Sequence, residues 1–270
     1  MSRLVTRDLL SDDAGALALA VAAGPHGVYV NNAMAAGEGD GCVLDEGGTC
    51  AGVVWFGPRG NVVVVTDHDP EASVARALAN AVTEHGRPWR IVMGPTAVVD
   101  LLRDRLATPP LAWRDQVYYT GRSTGAVRDL VRTDVRNAQR DDRDRLVQAT
   151  LLLNTSDLNV DPARVDRRWL RDSIDERIAS SSTRVIGPLG GPVCKLDFGS
   201  NGPGGLVLEG VFTFPEHRGR GLAAGLVATC LHEAPGEVSL HVGKQNRPAR
   251  CAYERAGMAV AGGCRLLLIG

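Results

Sequence analysis

The chain has 270 residues, of which 44% are hydrophobic and 23% charged, and its formal net charge is -1. This length suits two domains of ordinary size, and the composition supports packed cores and excludes extensive disorder. The charge is near zero and no basic stripe is present, which argues against nucleic acid or an anionic membrane as a partner.

The six cysteines form neither a CxxC pair nor a Cys/His zinc pattern, so we expect no metal site. The chain does not open with a basic segment followed by an apolar run, and no apolar stretch reaches membrane-spanning length. We therefore expect a cytoplasmic protein with reduced thiols.

The first half alternates helical and strand patterns. A helix is expected over residues 1–23, because Asp12 and Asp13 precede an Ala/Leu run that ends at Gly24-Pro25. Further helices are predicted over residues 70–86 and 96–106, from apolar residues at helical spacing. Strands are predicted over residues 42–44, 51–56, 62–66, 91–93 and 116–120.

The small, polar segment 121–125 is the best candidate for a linker. A second series of elements follows it. Strands are predicted over residues 130–133, 184–186, 193–198, 206–214, 238–242 and 263–269. Helices are predicted over residues 141–153, 162–179, 221–232 and 248–256.

The two halves share one order of elements, which is three strands, helix, strand, helix, strand. This favours a tandem of related domains, at residues 1–124 and 125–270. The alternative is that short α+β domains often share such an order without being related.

A glycine-rich turn at residues 215–223 joins the strand 206–214 to a helix start. A helix N-terminus binds anions because its free N–H groups point outward and its dipole is positive at that end. Gly219 and Gly221 would let the backbone approach phosphate oxygens, and Arg218 and Arg220 could add charge-assisted hydrogen bonds.

Three interpretations compete for this turn. It could simply link strand and helix. It could bind a dinucleotide, since Gly219-x-Gly221-x-x-Ala224 fits that fingerprint, but only about 50 residues follow, too few for a doubly wound domain. The third interpretation is an acyl-coenzyme A turn, because Arg218-Gly219-Arg220-Gly221-Leu222-Ala223 resembles the turn signature Arg/Gln-x-x-Gly-x-Gly/Ala of the GNAT superfamily position by position.

A second block at residues 240–258 decides between them, with Asn246, Ala249, Tyr253 and Gly257 at a characteristic spacing. Together the two blocks resemble the GNAT superfamily of N-acetyltransferases, and Met258 stands where that family usually has Phe. The resemblance covers about residues 127–270. It implies an α/β (α+β) fold with a mixed, mostly antiparallel central sheet flanked by helices.

The whole chain also resembles actinobacterial two-domain GNAT proteins whose N-terminal domain has no assigned function, and more distantly the tandem mycothiol synthase. The first half has Asp67-His68-Asp69 after its third predicted strand in place of a glycine-rich turn. Two aspartates would repel phosphates, so we expect a degenerate N-terminal domain that does not bind the cofactor.

The resemblance implies that the two central strands separate and that the pantetheine of acetyl-CoA, or another acyl-CoA, lies between them. A bulge would aim one backbone N–H at the thioester oxygen. Asn246 would hold pantetheine or fix its loop, or it would only cap a helix. The expected cofactor-binding residues are Val211, Phe212, Thr213, Arg218, Gly219, Arg220, Gly221, Leu222, Ala223 and Asn246.

The resemblance makes Tyr253 the expected acid for the leaving thiolate; the alternative is that its ring packs on the sheet. Glu209 is the candidate base, acting through water, or else a surface or ion-paired residue. Asp197 and His241 are weaker candidates. The polar loop 154–161 would border the acceptor, or be only a solvated connection.

The sequence thus predicts a GNAT-type, acyl-CoA-dependent N-acyltransferase that acylates a small-molecule amine by direct attack in a ternary complex. A protein lysine or N-terminus is the alternative acceptor. A different class, an acyl-CoA-binding sensor without turnover, also fits the cofactor motifs.

Overall fold

In a computed structural model, which describes residues 4–38, 40–58 and 60–269, the chain forms two compact units. The first unit takes the chain up to Tyr118, the segment Ser200–Gly205, and the chain from Gly262 onward. The second unit takes Tyr119–Gly199 and Leu206–Ala261. The predicted division into domains at residues 124 and 125 stays a prediction.

The strands, in chain order, are β1 (Leu4–Asp8), β2 (Gly41–Glu46), β3 (Thr49–Phe56), β4 (Asn61–Val65), β5 (Ile91–Gly94), β6 (Ala112–Gly121), β7 (Val135–Asn137), β8 (Thr183–Ile186), β9 (Cys194–Gly202), β10 (Gly205–Thr213), β11 (Val238–Gly243) and β12 (Ala259–Leu268). The helices are α1 (Ala14–Ala22), α2 (Val28–Ala35), α3 (Ala72–Glu84), α4 (Thr96–Arg103), α5 (Arg143–Leu158), α6 (Arg167–Ala179), α7 (Leu222–Glu233) and α8 (Arg247–Arg255).

The first unit contains the strand order β1-β2-β3-β4-β5-β12-β6. The pairs β1–β2, β2–β3, β3–β4 and β5–β12 are antiparallel, whereas β4 and β5 are parallel and are connected through α3. Its core joins the valine-rich β4 to α3 and α4. Gly52 makes room for this packing, because a Cβ there would lie 2.8 Å from the Leu78 side chain.

The second unit contains the order β6-β11-β10-β9-β8-β7. Strands β7, β8 and β9 pair antiparallel, whereas β10 and β11 pair parallel. Helices α5 and α6 pack on β8 through a core that includes Leu146, Leu170, Ile174 and Val185. The mixed, mostly antiparallel α/β fold predicted from the sequence is therefore confirmed.

Several predicted elements are wrong in detail. Residues 1–3 of the predicted opening helix lie outside the described residues, and the rest forms β1 and α1, which begins after its N-cap Asp13. The strand predicted at residues 130–133 lies instead at β7. Helix α5 runs on to Leu158, so much of the segment predicted as the acceptor loop is helical.

Two further observations concern membrane-spanning helices and cysteines. Within the described ranges, no helix has both the length and the apolar character that crossing a membrane requires. All six cysteines are free thiols, and Cys251 is the exposed one among them.

Candidate active site

A cleft of about 440 Å³ opens within the second unit. Its walls come from the end of β10, the turn before α7, the first turn of α7, helix α8 and the last turns of α5. The structure therefore brings the two sequence blocks, at residues 206–223 and 240–258, to one site.

The cleft begins where β10 and β11 separate. Their paired register runs from Leu206↔Val238 to Leu208↔Leu240, while β10 continues to Thr213 and β11 to Gly243. Within β10, Gly210 has a φ of 56°, a left-handed conformation that favours glycine and makes the strand irregular there. Residues 211–213, beyond this irregular point, line the cleft.

The turn before α7 has the properties of a phosphate cradle. Gly219 and Gly221 have φ values of 76° and 74°, and a Cβ at either position would meet no atom within 4 Å. Gly221 is the N-cap of α7, and none of the described side chains caps that helix or adds an acidic group to its first turn. Its free N–H groups, with the positive helix end, suit a pyrophosphate.

The two arginines of the turn differ in position. Arg218 lines the cleft, and its Nε donates a 3.0 Å hydrogen bond to the Thr213 carbonyl, which ties the turn to the end of β10. Arg220 donates to the Glu216 carbonyl at 3.2 Å and is not among the lining residues. Leu222 and Ala223 line the cleft from the first turn of α7.

Tyr253 lines the opposite wall, on α8, with only 5% of its surface exposed. Its ring stands edge-on to Tyr119, with the ring centres 5.9 Å apart. Burial raises the pKa of the phenol above 10.0, its ordinary value, and the charge of Asp157 raises it further. The phenol therefore stays protonated at neutral pH, which is the state that the role of acid requires.

Tyr119 holds helix α8 through hydrogen bonds that the sequence did not predict. Its hydroxyl donates to the Glu254 carboxylate at 2.6 Å and accepts from the Arg250 Nε at 3.1 Å. Both partners lie on α8 and flank Tyr253. From the sequence Tyr119 is only a strand residue, and nothing in its spacing points to α8.

Asn246 both caps a helix and borders the cleft. It is the N-cap of α8, where its side-chain oxygen accepts from the Ala249 N–H at 3.2 Å, and it also lines the cleft. Both sequence interpretations therefore remain compatible with its position.

We expect Asn246→Ala to lower the free energy of unfolding by about 1 kcal/mol, because one N–H of α8 loses its acceptor. Asn246→Asp keeps an acceptor oxygen and should be as stable as the parent in denaturant titrations. Equal losses for both variants would contradict the capping role.

Glu209 lies outside the cleft lining and faces Arg177, whose Nη2 is 3.7 Å from its Oε2. Its side chain is 32% exposed. A Cβ at Gly199 would lie 2.2 Å from the Glu209 Cδ, so this glycine makes the room for the carboxylate. Glu209 is therefore ion-paired, which is one of the two interpretations of this residue from the sequence. An ion-paired carboxylate can still act as a base.

The two weaker base candidates lie near Glu209, and Asp197 is buried whereas His241 is half-buried. Asp197 pairs with Lys195 and accepts from the Thr183 hydroxyl at 2.7 Å. Burial would raise the pKa of its carboxyl, but the charges of Lys195 and Arg177 lower it overall. Burial lowers the pKa of the His241 imidazole below 6.5, against the charge of Glu209. Neither residue lines the cleft.

The mixed sheet, the separated strands and the glycine cradle facing a buried tyrosine define an acyl-CoA-dependent N-acyltransferase. Residues 159–258 match the model of the acetyltransferase (GNAT) family. The chain therefore carries a GNAT-family acetyltransferase domain, and the predicted enzyme class is confirmed. None of the curated proteins matches the chain in sequence.

Solved structures share the fold over nearly the whole chain. A GNAT-family acetyltransferase from Colwellia psychrerythraea is 13% identical, with 99% of this chain and 100% of that chain covered and a TM-score of 0.54. A GCN5-related N-acetyltransferase from Sphaerobacter thermophilus is 16% identical, with 98% and 94% covered and a TM-score of 0.57. A Drosophila protein is 12% identical, with 97% and 99% covered and a TM-score of 0.63.

Proposed function

We propose that this enzyme transfers an acetyl group from acetyl-CoA to a primary amine of a small molecule by direct attack in a ternary complex. The observation that supports it is the cleft itself, where the free end of β10, the open glycine cradle and the protonated Tyr253 face one space. Acetyl-CoA supplies the acyl group as a thioester.

The residues of the chain divide the chemistry between them. Backbone N–H groups of the first turn of α7 and the Arg218 guanidinium hold the pyrophosphate. A backbone N–H beyond the irregular Gly210 stabilises the negative charge that develops on the thioester oxygen. The edge at residues 211–213 binds pantetheine like an added strand.

Proton movements complete the reaction. As the C–N bond forms and the C–S bond breaks, Tyr253 donates its proton to the sulfur. The proton lost by the amine passes through water to Glu209, whose carboxylate faces the Arg177 guanidinium. The product is an amide, and the thiol of coenzyme A leaves.

The first half is proposed to be a degenerate domain, residues 1–124, that accompanies a catalytic domain of residues 125–270. In place of a glycine cradle it has Asp67-His68-Asp69 after β4, where the Thr66 hydroxyl donates to the His68 carbonyl at 2.7 Å. Two carboxylates at this position disfavour phosphate. We place the enzyme in the cytoplasm, the reducing compartment that its free thiols suit.

The test measures thiol release from acetyl-CoA across a panel of small amines, lysine peptides and peptide N-termini. We expect turnover with at least one small amine and slower release with the peptides. Faster acetylation of the peptides would indicate that the acceptor is a protein amine. Tight coenzyme A binding without acylation of any amine would make the protein a sensor.

A further inference from the structure

Asp157 is the one acidic residue among the described residues that line the cleft. It lies in the last turn of α5, half-buried, in the segment that the sequence predicts as part of the acceptor loop. Because α5 continues to Leu158, the carboxylate is carried by a helix and its position is fixed more firmly than on a loop.

None of the described basic residues forms a salt bridge with Asp157, and its carboxylate accepts a 3.4 Å hydrogen bond from the Ser156 hydroxyl. An exposed surface carboxylate needs no partner. A half-buried one in a cleft is stabilised when a ligand brings a positive charge.

Apart from Arg255 of α8, the charged residues that line the cleft divide into two groups. His217 and Arg218 accompany the glycine cradle, where the anionic donor binds. Asp157 acts electrostatically on Tyr253, since its charge raises the pKa of that phenol, so it belongs to the group where proton transfer takes place. The C-terminal end of α5, capped by Asn159 with a φ of 54°, adds the negative end of a helix dipole.

We propose that Asp157 binds the acceptor amine in its ammonium form, so that cationic alkylamines are the substrate class of this cleft. This inference rests on the proposed N-acyltransferase function. The ammonium N–H groups donate to the carboxylate of Asp157 in a charge-assisted hydrogen bond. The bound amine then loses its proton before attack, so Asp157 selects and orients the acceptor.

Two acceptors separate the effect of charge from that of shape. Butylamine is a cation at neutral pH, whereas aniline is neutral. Asp157→Asn keeps the size and the hydrogen-bonding capacity of the side chain and removes its charge. We expect kcat/KM for butylamine to fall about 10- to 100-fold, the range for one lost charge-assisted contact. The value for aniline should change by less than about threefold, within ordinary scatter.

The matched control is Asp172→Asn, which removes the same charge from an exposed position on α6 outside the cleft lining. It should leave both acceptors unaffected. Asp157→Glu, the conservative variant, should restore part of the butylamine rate. The KM for acetyl-CoA should stay within about twofold of the parent in all three, because none of them touches the glycine cradle.

Calorimetric titration of butylammonium into the coenzyme A complex gives a reading that does not depend on turnover. Binding should weaken at least about tenfold in Asp157→Asn. Unchanged binding, no binding to the parent, or equal losses for butylamine and aniline would overturn the proposal. A parent that binds butylammonium through Asp157 but acetylates no amine would overturn the proposed function alone.

Discussion

Replacing Tyr253 with Phe should lower kcat by about two orders of magnitude or more, the usual contribution of a positioned general acid. The ring and its edge-on contact with Tyr119 remain, so the fold and the affinity for coenzyme A should not change. Without the hydroxyl the thiolate leaves unprotonated, and C–S cleavage becomes slower. Steady-state kinetics together with calorimetric coenzyme A affinity measure the two quantities separately.

Tyr118→Phe is the matched control, because it removes one hydroxyl from a buried tyrosine of the first unit. It should leave kcat unchanged. The pH profile gives a second check. Since burial and nearby charges raise the pKa of Tyr253 above 10.0, its proton should be lost only at a pH above that value. An unchanged kcat in Tyr253→Phe would show that another group, or water, protonates the thiolate.

Replacing Gly221 with Glu should weaken coenzyme A binding at least about 100-fold, because one change brings both steric exclusion and charge repulsion to the phosphates. The φ of 74° disfavours any side chain, and the open space at this position is the room that the phosphates need. Gly221→Ala should lose less affinity, since it adds the strain and a methyl group without the charge. Equilibrium binding of coenzyme A measures both variants.

Gly86→Glu is the matched control for Gly221→Glu, because it introduces the same backbone strain and charge outside the cleft. Gly86 has a φ of 77° and open space at its Cβ position, but it does not line the cleft. Both Glu variants should be destabilised by about 1–2 kcal/mol, the cost of the left-handed conformation. Only Gly221→Glu should lose affinity for coenzyme A. Equal affinity in Gly86→Glu and Gly221→Glu would show that the turn before α7 does not bind the phosphates.

The parts of the fold that the sequence predicts well are those determined by local pattern. The valine run of β4 and the apolar face of α3 have clear periods, and the glycine turn before α7 is a short-range signal. Helix α2 was missed because Gly24-Pro25 reads as an end, although the chain continues through one turn of 3-10 helix into a new α-helix. Strand β1 forms by pairing with β2, a contact that its own residues do not encode.

In the candidate site, too, the sequence predicts what local pattern determines and misses what depends on distant contacts. Contiguous motifs predicted the glycine turn and Tyr253 as site residues, whereas contact partners far apart in the chain left no signal in the sequence. Arg177 lies 32 residues before Glu209, and Tyr119 lies 135 residues before Glu254. Asp157 was not predicted as a helical residue for another reason. Its polar neighbours Asn154, Thr155 and Ser156 have the composition of a loop, whereas helix α5 continues through them.

The membership of β12 in the first unit has a consequence for synthesis on the ribosome. Residues 265–268 of this strand pair with β5, yet they are translated after every segment of the second unit. Until they emerge, the edge of β5 that they cover stays without its final neighbour, and the first unit cannot complete its sheet. The first unit, although its synthesis begins earlier, therefore completes its sheet only after the second unit has been translated.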